Sequence, residues 1–268
     1  MQGWSMPRIL ADEVVDRQCE VLRSGAAHEK LAVLNELTEA SDECRARADQ
    51  LPRAAFKEPG VREKYAPWLE FRKILGEPLF EAIVEIARQE RPSPVRALAG
   101  DILAQLWHPA AIGRLLEAFE SRLETLSENP PLRIFLDLGG IGTEAAVKAL
   151  MWLWGTEWDA DAAGALGMCD SGTAQDFLLA NASVHPDPYV RSICLAHLRP
   201  PITKEKADLF IARLFSGTQS ERFIAAMKVK EFRLAAAVPA LISARARKDD
   251  EALMDMIDEA LAVLRGGR

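Results

Sequence analysis

The stretch Ser93–Glu120 constrains the fold more than any other part of the chain. It reads SPVRALAGDILAQLWHPAAIGRLLEAFE, two apolar stripes at helical spacing separated by a break. Val95, Leu98, Ile102, Leu103 and Leu106 recur in the first, and Ile112, Leu115, Leu116 and Phe119 in the second. Ser93 is a good N-cap. Pro94 and Pro109 suit a first helical turn, where the missing N–H had no partner to lose. A pair this short cannot bury its own apolar stripe, so it predicts stacking on further pairs of the same kind.

Similar pairs recur downstream. Leu116, Leu150, Leu178, Phe210 and Leu241 serve as equivalent points on successive second helices. Their intervals are 34 (116 to 150), 28 (150 to 178), 32 (178 to 210) and 31 (210 to 241). They cluster near one value, inside the ~20–50 residue range of repeat arrays. Arg96, Arg133, Arg191 and Arg222 mark the starts of first helices.

Taken in order, residues 1–11 read as a loose arm, and Asp12–Arg23 as a first helix ended by Gly25. His28–Leu37 follows, then Ser41–Leu51 as a polar, exposed helix. Pro52–Pro67 is irregular, and Trp68–Leu75 and Pro78–Arg88 are helical. After Ser93–Glu120 comes a turn at Ser127–Pro131, then Leu132–Leu138 leading into GGIG. Further helices are predicted over Thr143–Trp154, Ala160–Met168, Thr173–Leu179, Asp187–Leu198, Thr203–Phe215, Glu221–Val229, Leu234–Arg245 and Glu251–Leu264. Thr173 and Asp176 have the spacing of a capping box.

The composition is 49% hydrophobic and 27% charged, too apolar for general disorder. The formal net charge of -7 repels polyanions and disfavours bulk binding to nucleic acid or an anionic membrane. Cys19, Cys44, Cys169 and Cys194 form no CxxC pair and read as free thiols of a cytoplasmic protein. No signal-peptide pattern opens the chain, and no apolar run reaches the ~18–20 residues of a membrane span.

SPVRALAGDILAQL, LGGIGTEAAVKAL, DPYVRSICLAHL and AAAVPALISAR resemble HEAT repeats, in particular the short bacterial kind seen in phycobilisome-lyase-like proteins. The resemblance covers roughly residues 92–268. It departs at WDADAAGALGMCD, which lacks the Val-Arg pair, and fades before residue 75. It implies an all-α fold, a right-handed α-solenoid of helical hairpins whose second helices line a concave surface. Residues 1–91 are then degenerate repeats or a cap continuous with the solenoid. The family does not imply one activity.

Motifs that carry chemistry are thin. Gly140-Ile-Gly142-Thr-Glu-Ala145 fits a dinucleotide fingerprint after LRIFLDL, which could be a strand. No strand–helix alternation surrounds it, so a glycine-rich turn between two helices is preferred. Cys194 and His197, with Cys169 and His185 upstream, lack the paired spacing of a zinc site. No GxSxG, HExxH or P-loop is present. Catalytic residues, cofactor and metal are therefore all expected to be absent. Trp152, Trp154 and Trp158 cluster, and Trp107 ends the preceding unit's first helix. Inter-repeat packing accounts for such tryptophans, with Trp154 on the face of Val147 and Leu150. The functional alternative is an aromatic anchor for a partner. The expected partner-binding residues are Trp152, Lys148, Arg114, Trp158 and Trp107. The expected function is a non-catalytic scaffold that binds a protein or peptide. By resemblance, the alternatives are a tetrapyrrole (phycobilin) lyase-type chaperone subunit and, less favoured by the charge, a HEAT-like DNA repair glycosylase.

Overall fold

The computed structural model describes residues 10–50, 66–89, 91–124, 132–247 and 250–266. The expected arm at residues 1–9, most of the irregular stretch 52–67, and the turn at 127–131 lie outside them. Among the described residues the chain is all-helical, with fifteen α-helices, two short 3-10 turns and no strand. No helix among them is long and apolar enough to cross a membrane.

The chain divides into two compact units, Met1–Trp152 and Leu153–Arg268. The first holds α1 (Asp12–Ser24), α2 (Ala27–Asp49), α3 (Pro67–Leu75), α4 (Glu77–Ala87), α5 (Pro94–Gln105), α6 (Ile112–Glu124), α7 (Leu132–Ile141) and α8 (Glu144–Trp152). The second holds α9 (Asp159–Met168), α10 (Gly172–Val184), α11 (Pro188–His197), α12 (Lys204–Ser216), α13 (Gln219–Glu231), α14 (Val238–Arg245) and α15 (Glu251–Leu264).

Capping residues set most of the starts. The side chains of Ser93, Asp187, Thr203 and Asp250 each accept a backbone N–H in the first turn of α5, α11, α12 and α15. Thr218 and Glu221 form a full capping box at α13. The box expected at Thr173 and Asp176 is not the one used. Ser171, two residues earlier, accepts the Ala174 N–H and starts α10. The two helices expected over 28–51 are one, α2, because Thr38-Glu39-Ala40 contains no breaker. Its polar second half is exposed on one side only: Asp42, Glu43, Ala46 and Asp49 face out, while Ser41, Cys44, Arg45 and Ala48 are buried.

In the second unit, α9, α11, α13 and α15 touch in succession, and α12 touches α14. Polar links between successive pairs keep a constant spacing. Arg191 Nε donates to Glu221 Oε1 at 2.7 Å, 30 residues on. Arg213 donates to the carbonyls of Ala182 and Ser183, 31 and 30 residues back. Arg199 donates to the Gly167 carbonyl, and Arg247 to the Phe215 carbonyl, each 32 residues back. The carbonyls at the ends of α9, α10 and α12 have no partner within their own helix, and a guanidinium both satisfies them and opposes the negative helix end. The equivalent points Leu150, Leu178, Phe210 and Leu241 are all fully buried. In α6 the buried positions are Leu115 and Phe119 rather than Leu116.

Glu221 is the most enclosed of these links. It is fully buried, accepts from Arg191 and the Thr218 N–H, and forms an ion pair with Arg213 at 3.5 Å. Burial alone would raise its pKa; the Arg191 and Thr218 hydrogen bonds and the Arg213 charge outweigh that and hold it below the usual carboxylate range. Glu221→Ala strands two guanidiniums that are only 17% and 14% exposed. We expect it to lower the unfolding free energy by about 3 kcal/mol, the low end for a broken buried pair. Asp208→Ala, which removes a solvent-exposed pair with Lys204, should leave the unfolding midpoint nearly unchanged. Urea unfolding of the two variants checks both.

Candidate functional site

The sequence-predicted residues separate by what surrounds them. Trp107 is only 8% exposed and adopts a left-handed backbone conformation, φ 59°. One face of its ring carries the Arg45 guanidinium, 4.5 Å from the centroid. Gly140 lies so close that a Cβ there would sit 2.5 Å from the ring. Gly140 therefore admits a tryptophan against the α7 backbone. LRIFLDLGGI is a helix, not a strand, which removes the dinucleotide-fold context. Only Gly142, at φ 63°, belongs to the turn; Gly139 and Gly140 are helical.

Arg45 extends this cluster. It donates to Asp137 Oδ1 at 2.8 Å and to the Gln105 carbonyl at 3.0 Å, and it pairs with Asp49. Arg133 holds the other Asp137 oxygen at 2.9 Å, and the Ser41 hydroxyl donates to Gln105. Burial pushes the Asp137 carboxyl above its usual pKa, against the pull of Arg133 and Arg45. The network ties α2, α5 and α7 together, and every group in it is engaged. Arg114 is similarly occupied. It pairs with Asp101 at 3.0 Å, and its methylenes cover Gly100. Trp107 and Arg114 thus serve packing within the first unit.

Lys148 and Trp152 stand apart. Both are exposed, Trp152 at 61%, one turn apart on α8. Among the described residues, neither has a hydrogen-bond, ion-pair or ring partner. Ala145, also exposed, continues that face toward the helix start. Trp158 belongs to the second unit, half-buried just before α9, with its N–H donated to the Thr156 hydroxyl. Trp154 is not on the α8 face: the helix ends at Trp152, and Leu153 is the buried residue. The Trp154 ring instead meets Phe177 and His185 edge-on, with centroids 4.9 and 5.6 Å away.

Leu132 and Leu136 escaped the sequence reading. They are 45% and 38% exposed, one turn apart on α7. Once 132–141 is read as a helix, Ile134, Phe135 and Leu138 mark its buried side and leave these two leucines outward. With Trp152 they are the exposed large apolar side chains of the first unit's described residues.

The histidines and cysteines have structural duties. His185 Nδ1 accepts the Asp187 N–H, so its Nε2 donates to Asp159 at 3.1 Å. Cys194 is buried and its thiol is pushed up to about 12 by burial, then by Asp159, so it is no nucleophile at neutral pH. Among the described residues, no three His, Cys, Asp or Glu side chains are grouped to hold a metal ion. An open groove of about 540 Å³ between α14 and α15 is lined by Ile242, Leu261, Arg265 and the mutually paired Arg245 and Asp258. No protein family and no curated protein matches the chain.

His108 has the most displaced histidine environment. It sits edge-on to Trp68 and Phe80, each 5.4 Å away, and its Nδ1 accepts the Ala110 N–H that opens the turn before α6. Burial, then the charges of Arg88 and Arg72, push its pKa down to about 4. The folded state keeps it neutral while the unfolded chain takes up a proton near pH 6.5. Its contribution is complete above pH 6.5 and is lost as pH falls from there toward 4. His108→Asn retains a capping acceptor without titrating. Unfolding free energies measured across this range should fall less steeply with acidification in the variant than in the wild type.

Proposed function

We propose that this chain is an α-solenoid of HEAT-like helical hairpins acting as a non-catalytic scaffold in the cytoplasm. It binds another protein or a peptide, with Trp152 and Lys148 at the contact. The observation that carries this reading is the state of Trp152. An indole 61% exposed beside an unpaired lysine is unusual in a chain whose other arginines, histidines and buried carboxylates are largely consumed in structural links. Tryptophan is among the residues most enriched at binding hot spots.

Two features support the solenoid part. Six polar links of the second unit have separations of 29 to 32 residues, close to the sequence period. Its alternate helices also touch in succession, as stacked hairpins require. In a right-handed solenoid of this family, second helices such as α8 would face the concave side.

Affinity capture of the tagged protein from its host's lysate, with and without nuclease, tests the function. A stoichiometric protein that resists nuclease supports the scaffold. A coloured eluate would favour the tetrapyrrole-lyase reading, and a nuclease-sensitive one the repair-enzyme reading. Trp152→Ala and Lys148→Ala should each abolish or weaken capture by about tenfold or more, with helix content unchanged by circular dichroism. Trp107→Ala should instead lower stability, by about 3–5 kcal/mol for a buried tryptophan.

A further inference from the structure

We draw no further inference here: the strongest candidate, the open groove between α14 and α15 lined by Ile242, Leu261, Arg265 and the mutually paired Arg245 and Asp258, carries nothing because nothing in the structure shows what covers it.

Discussion

Every helix here except α2 is 14 residues or shorter, and none can bury its apolar face without a neighbour. Stability must therefore come from contacts between helices, and between successive pairs. Apolar contact fills the layer but leaves the helix ends, where the last carbonyls have no partner within their own helix. The arginines of the second unit resolve this. Arg199, Arg213 and Arg247 reach back 32, 31 and 32 residues to the last carbonyls of an earlier helix. Arg191 reaches forward to Glu221. Each carbonyl bond satisfies a terminal group that has no partner within its own helix, at buried Gly167 and Ala182 and at exposed Phe215 alike, and each link ties one helix to another about thirty residues away.

The two units solve the same problem differently. In the second, links are local and periodic. In the first, one long helix does the joining: Arg45 and Ser41, from the polar half of α2, reach α5 and α7 across 60 to 92 residues. Trp107 and Gly140 then close the space under Arg45. Removing Asp137 from such a network would leave the buried Arg45 with only the exposed Asp49 as its counter-charge, whereas an exposed ion pair can be lost with little consequence.

That difference explains what was legible in the sequence. The all-helical class, the Ser93 cap, the helix starts at Asp187 and Thr203, and helix α15 with both its ends follow from short-range signals: a capping side chain, a proline at the first turn, and apolar residues at helical spacing. The burial of Leu178, Phe210 and Leu241 is legible because each belongs to an apolar stripe at helical spacing. The role of α2 was hidden, since SDECRARAD looks like a solvated face, and only a partner 92 residues away reveals why Arg45 is buried. Trp107 was misleading for a similar reason. Its burial is set by Gly140 and Arg45, neither of which is near it in sequence. The Ser171 cap competes with Thr173 for the same helix start, and a two-residue choice of this kind depends on how the preceding turn enters the helix.

The surface argument follows from the same accounting. Tryptophan and arginine occur at binding surfaces and inside packed proteins alike, so residue type cannot separate the two. Partners can. Trp107, Trp154 and Trp68 each have a ring or cation against them, and Arg114 has its carboxylate. Among the described residues Trp152 and Lys148 have neither, although they sit on a helix whose other face is packed through Val147 and Leu150. Packing on one face fixes the backbone and holds these two side chains one turn apart. The entropy of presenting them together is thus largely met by folding, and a ligand that touches both has only its own freedom to lose.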